Sequence, residues 1–219
     1  KISNLIKMIN LAVFLDFKQN ILTNNSRALL TFANSLVEKD SKFQIYLYAV
    51  QDIKNCFIPS TIKAKSIICF TADNNVHFST NDSLEKIVLD IENNHITHVF
   101  CTKSTTNDLI CAKLAMILNY FLITNIKSLR EEDGLLFFSK SIFSGKAIAN
   151  MNGTIEPCIA IFPKGFTGDF VSDDQLESKE IVIKNITSNH VTTSKITGES
   201  TIQNEIQLSE AEIVVGAGR

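Results

Sequence analysis

Apolar and polar positions follow two rhythms along this chain, and they take turns. Asn10 to Phe14 (NLAVF), apolar after its first residue, reads as a buried strand. An asparagine-rich polar turn, Lys18 to Ser26, comes next. In Ser26 to Lys39, Leu29, Ala33, Leu36 and Val37 fall on one face of an amphipathic helix. Phe43 to Val50 (FQIYLYAV) is rich in aromatic and branched residues and predicts a strand, as does Ser66 to Thr71 (SIICFT). Asp82 to Asn93 places Leu84, Ile87, Val88 and Ile91 at helical spacing, with Asp82 and Glu85 forming a capping-box pattern at its start. Thr97 to Thr102 (THVFCT) is another strand. The helix NDLICAKLAMIL follows it, with Ile110, Leu114, Ile117 and Leu118 in one stripe, and Tyr120 to Thr124 (YFLIT) is the next strand.

Strands that read as unbroken apolar runs, separated by helices, indicate a mostly parallel sheet with helices on both faces. The expected fold is therefore three-layer α/β. From Asp133 the rhythm changes. GLLFFSKSIFSGKAIANMNG holds two strand-like runs around Ser144-Gly145, then EPCIAIFPKG follows with no helix between. This predicts added antiparallel strands toward the C-terminus. Glu180 to Ile186 is a further strand, and the Ser-, Thr- and Asn-rich stretch from Asn185 to Gln207 reads as an arm or linker. Residues 1–199 form the expected α/β domain. A boundary near Ser200 to Ser209 sets off 200–219, where Ile213 to Val215 reads as a short strand leading into Gly216-Ala217-Gly218-Arg219.

Length and composition agree with this picture: 219 residues, 45% hydrophobic and 20% charged, suit one large domain or one domain with a tail. The 21 basic and 23 acidic side chains leave a net charge of −2 with no basic block, which disfavours a nucleic-acid role. No apolar stretch reaches the roughly 20 residues of a membrane span; Leu114 to Thr124, the longest candidate, is interrupted by Asn119. Cys56, Cys69, Cys101, Cys111 and Cys158 are odd in number, widely spaced and without a Cys-x-x-Cys. They read as buried thiols of a reducing, cytoplasmic compartment.

Candidate chemistry is sparse. No Gly-x-Ser-x-Gly occurs, and His77, His95, His98 and His190 lie in Asn- or Thr-rich stretches that read as exposed. Asp173-Asp174 and Glu131 to Asp133 read as hydrated charge runs in turns rather than a metal site. The first strand is followed by LDFKQN, which lacks the glycines of a phosphate loop. Lys103, Ser104, Thr105 and Thr106, after the strand ending at Thr102, open a helix whose free N–H groups suit an anion. Capping by Thr106 or Asn107 accounts for the same residues.

Three stretches, in order, bear a family likeness. HVFCTKSTTNDLICAKLAMIL resembles a strand–loop–helix of the electron transfer flavoprotein alpha subunit. Ile142 to Met151 (IFSGKAIANM) is similar to that family's aromatic–small–Gly–polar–Ala-Ile-Ala pattern, and LSEAEIVVGAGR to its Leu-(Ser/Thr)-x-Ala-x-(Ile/Val)-Val-Val-x-x-Gly-Arg-Gly signature. Together they span His98 to Arg219, about half of the chain. Lys140-Ser141 stand where the family has Arg-Pro, and Gly216-Ala217 where Ser-Gly is commoner. The resemblance implies an electron carrier rather than a substrate-turnover enzyme. In it this α/β domain, of the adenine nucleotide alpha hydrolase-like kind, is a scaffold, FAD is held by a second domain that begins at the Gly-Arg turn, and a beta subunit completes the heterodimer. Dehydrogenases and a membrane-linked acceptor are the implied transient partners. The cofactor-contacting role carries over to Gly218 and Arg219, and the strands and arm from Ile142 to Ile196 are the expected beta-subunit surface. The alternative is a free-standing adenine-nucleotide-binding regulatory domain of the universal-stress-like fold, binding through the KSTTND turn.

Overall fold

The computed structural model describes residues 8–18, 21–50, 57–59, 61–72, 81–132, 135–151, 157–166, 176–178, 182–186, 213 and 215–216. The elements in chain order are β1 (Ile9–Leu15), β2 (Phe17–Lys18), β3 (Ile21–Leu22), α1 (Asn24–Lys39), β4 (Phe43–Ala49), β5 (Phe57–Pro59), β6 (Ala64–Ala72) and α2 (Asn81–Asn93). They continue with β7 (Ile96–Thr102), α3 (Thr105–Leu118), β8 (Phe121–Ile123), β9 (Ile126–Glu132), β10 (Leu135–Ile142), β11 (Ala147–Met151), β12 (Cys158–Phe162), β13 (Leu176–Ser178) and β14 (Val182–Ile186).

Seven strands make one sheet in the order β14-β6-β4-β1-β7-β12-β8. Every neighbouring pair in it is parallel. The first strand sits in the middle. The chain lays β4 and β6 on one side of it, then returns to place β7 on the other, so the winding reverses between β1 and β7. At such a reversal the connections at the carboxyl ends of the two strands diverge and leave a crevice.

The burial of β1, β4 and β7 explains their solid apolar sequences: each shows six buried residues and one half-buried. Alternate residues serve opposite faces. Leu11, Val13 and Leu15 join Ile45, Leu47 and the α1 residues Leu29, Ala33 and Leu36 in one core. Ala12 and Phe14 join Tyr46, Tyr48 and residues of α2 and α3 in the other. On that second face Phe14, Tyr48 and Phe70, from three adjacent strands, stack with ring centroids 5.4 and 5.8 Å apart.

The expected antiparallel strands are present as a separate three-stranded sheet, β11-β10-β9, inserted between β8 and β12. It stands where a crossover helix would be. Ile126, Leu136 and Phe138 enter the core that α1 covers, and the Phe138 ring meets Phe100 of β7 edge-on at 6.4 Å. A sheet thus does a helix's covering work, while β12 and β14 join the main sheet in parallel. The β10–β11 connection passes through Phe143, Ser144 and Gly145, all at positive φ (51°, 54° and 86°). Near the C-terminus Ile213 and Val215 are exposed and lie outside any strand.

Candidate functional site at the carboxyl ends of the central strands

Asp16 is the first residue past β1, and the local chain holds it from both sides. Its N–H donates to the Ser26 hydroxyl at 2.9 Å, and its carbonyl accepts from the Thr23 N–H at 3.0 Å. Thr23 is also the N-cap of α1, its hydroxyl accepting from the Ser26 N–H. The helix therefore starts inside the predicted polar turn, two residues before Ser26.

Across the winding reversal, β7 ends at Thr102 and α3 begins. Ser104, not Thr106 or Asn107, caps this helix: its hydroxyl accepts from the Asn107 N–H at 3.1 Å. Thr105 and Thr106 are exposed, whereas Asn107 is buried and turned inward. The Thr102 hydroxyl donates to the Asp16 carboxylate at 2.8 Å, and the Asn107 side-chain amide donates to the same oxygen at 2.9 Å. That amide also reaches the Thr102 carbonyl at 2.9 Å. Asp16, Thr102 and Asn107 thus bridge the crevice between β1 and β7 with the chain's own side chains. Burial pushes the Asp16 carboxyl above its ordinary value of 3.8, against the pull of its two hydrogen bonds.

This bridge changes what the KSTTND turn offers an anion. A helix N-terminus attracts negative charge, but here a carboxylate already bonds Asn107 and a second one, Asp108, lies in the first turn. Lys103 is exposed and its N–H is taken by the Phe162 carbonyl at 2.8 Å. Beside it a cavity of about 250 Å³ is lined by Lys103 and Asp108, by Leu122 and Thr124 at the end of β8, and by Ile161 and Pro163 at the end of β12. It is smaller than the roughly 300–1,000 Å³ usual for small-molecule sites.

A second buried polar cluster lies on the α2 face. The Asp90 carboxylate, 4% exposed, accepts from the Tyr48 hydroxyl at 2.6 Å, from the Asn94 amide at 3.1 Å and from the Lys184 ammonium. Burial first, then Asp90, hold the Tyr48 pKa far above its ordinary value, so the phenol remains a donor. Lys184 ties the edge strand β14 to α2 through this carboxylate.

Several sequence expectations change in the folded chain. His98 is buried, 2% exposed, with Nδ1 2.9 Å from the Thr97 hydroxyl, because its position on β7 points it into the layer. His95 is exposed at a turn, as expected. Glu131 and Glu132 sit in strand β9 rather than a turn, with Glu132 3.0 Å from Arg130. Cys69, Cys101, Cys111 and Cys158 are buried, as expected. Among the described residues no group of three or more His, Cys, Asp or Glu is placed to hold a metal, and no helix is long and apolar enough to cross a membrane. Gly218, Arg219, Cys56, His77, His190, Asp133, Asp173 and Asp174 lie outside the described residues, and the side chain of Asp82 is not among the described ones.

Asp16, Thr102, Tyr48, Asp90 and Lys184 are the residues that sequence reasoning missed. One signal pointed to Asp16: a lone carboxylate directly after a strand that is apolar from Leu11 on, at the end where such sheets bind. In comparison with known proteins the chain matches no family model and no curated protein.

Proposed function

We propose that this chain is the scaffold half of an electron transfer flavoprotein alpha subunit, which carries electrons from dehydrogenases to an acceptor through FAD. The observation that carries this reading is the bridged crevice. The sheet has the winding of a nucleotide-binding domain, yet Asp16, Thr102 and Asn107 bond one another across the reversal point and put a carboxylate there. A domain of that kind suits support of a cofactor held elsewhere. The three ordered sequence matches supply the family, and with it the FAD-contacting assignment of Gly218 and Arg219 and the beta subunit as partner. Such a protein shields and positions a redox centre and docks transiently, rather than turning over a substrate.

The test is co-expression with an electron transfer flavoprotein beta subunit, together with titration of the isolated chain by FAD and AMP. Expected are a copurifying heterodimer, weakened by deletion of residues 185–207, and no saturable binding of either nucleotide to the chain alone. Stoichiometric yellow flavin on the isolated chain, or a heterodimer unaffected by the deletion, argues against the reading. The second reading, an adenine-nucleotide-binding regulatory domain, draws on the cavity beside Lys103. It requires AMP binding in calorimetry that is lost in Lys103→Ala.

A further inference from the structure

Cys101 occupies the penultimate position of β7, and Cys111 lies in the second turn of α3, ten residues later. Both are fully buried, and their sulfurs are 3.1 Å apart. This is closer than two thiols need to approach for packing alone, and about 1 Å longer than a disulfide bond. The side chains point at one another from two elements that the Ser104 cap and the Asn107 amide already hold in place. We propose that Cys101 and Cys111 are an intramolecular disulfide site, oxidised by a small peroxide.

The chemistry is a two-step oxidation. The first sulfur attacks hydrogen peroxide; an S–O bond forms, the O–O bond breaks, and one oxygen leaves as water. The second sulfur displaces the sulfenic oxygen; the S–S bond forms and a second water leaves. Two thiol protons end in the two waters, two sulfurs are oxidised and the peroxide is reduced. Burial of the pair excludes bulky disulfide oxidants, and it also raises the Cys101 thiol pKa, with Cys111 adding to the rise. The reaction is accordingly slow in the closed protein and accelerates when α3 opens from β7. The product clamps the first turns of α3 to the end of β7, beside Thr102 and Asn107, and so fixes the bridge to Asp16. This inference is independent of the electron-carrier reading.

Trypsin cuts after Lys86, Lys103 and Lys113, which places the two cysteines on separate peptides, 87–103 and 104–113. The full chain is treated with hydrogen peroxide, both natively and in urea just below its unfolding transition, then alkylated and mapped without reduction. The expected result is a linked pair of these peptides, short of two hydrogens, at least about tenfold more abundant than any other cysteine pairing, and faster to form in urea. Cys111→Ser abolishes it and leaves Cys101 alkylated or as a sulfenic acid. Cysteines that stay fully alkylatable under both conditions, or a dominant link involving Cys56, Cys69 or Cys158, overturn the proposal.

Discussion

Replacing Asp16 by alanine and by asparagine separates what its bonds do from what its charge does. One carboxylate oxygen accepts from Thr102 at 2.8 Å and from Asn107 at 2.9 Å. Alanine removes both bonds. The Asn107 amide keeps the Thr102 carbonyl as a partner, but the Thr102 hydroxyl, 3% exposed, is stranded. A stranded buried donor costs about 1–3 kcal/mol. Asparagine retains an oxygen for both donors and removes the charge. Since burial outweighs hydrogen bonding in setting the Asp16 pKa, the pocket favours an uncharged occupant. The asparagine variant is therefore expected to be at least as stable as the wild type at neutral pH, and more stable than the alanine variant by about 1–3 kcal/mol. That gap corresponds to about 1 M in urea midpoint.

The pH dependence follows from the same shift. The folded state binds more protons than the unfolded chain between 3.8 and the raised folded value. Wild-type stability from this group is thus fully present below 3.8, falls as pH rises through that window, and stays lower above it. The asparagine variant lacks this slope. Urea unfolding followed by circular dichroism at acid and neutral pH should show its advantage over the wild type growing as pH rises. An asparagine variant that is less stable at neutral pH, or an advantage that does not change with pH, refutes the reasoning.

Phe138→Ala should cost about 3–5 kcal/mol in urea unfolding, and it should speed amide exchange across residues 126–151 more than in α1, since Phe138 seats the antiparallel sheet on Phe100. Ser104→Ala should cost about 1 kcal/mol while Thr106→Ala, at an exposed position, stays within about 0.5 kcal/mol; equal effects would show the cap misassigned. Asp90→Leu strands the Tyr48 hydroxyl and should cost about 1–3 kcal/mol, whereas Lys184→Met, at a side chain 38% exposed, should cost about 1 kcal/mol or less. Their double mutant should show non-additivity above about 0.5 kcal/mol in unfolding experiments.

The main sheet was legible because its strands are buried on both faces, and such strands spell themselves out as NLAVF, FQIYLYAV and THVFCT. The helices were legible from their stripes, though α1 and α3 each begin two residues early, at caps (Thr23 and Ser104) whose hydroxyls sit outside the apolar pattern. The separate antiparallel sheet was harder. GLLFFSKSIFSGKAIANMNG announces strands and a turn, but which sheet they join depends on Phe138 finding Phe100, a contact no local pattern encodes. His98 misled for a related reason: a polar residue flanked by threonine and valine looks exposed until the strand is known to be covered on both sides.

The site was illegible in a more basic way, and the reason bears on function. Asp16 lies 86 residues from Thr102 and 91 from Asn107, so each taken alone is an ordinary polar residue near a turn. Only the reversal of winding, which puts β7 next to β1, brings them together. An open crevice needs glycines so that backbone N–H groups can approach a phosphate; this chain has Asp16, Thr102 and Asn107 there, and their side chains bond one another. Those bonds tie the residue after β1 to the end of β7 and the start of α3, on either side of the winding reversal. The same logic makes Asp16→Ala the variant most suited to reopening the crevice: it removes the carboxylate that repels phosphate and one side of the bridge at once.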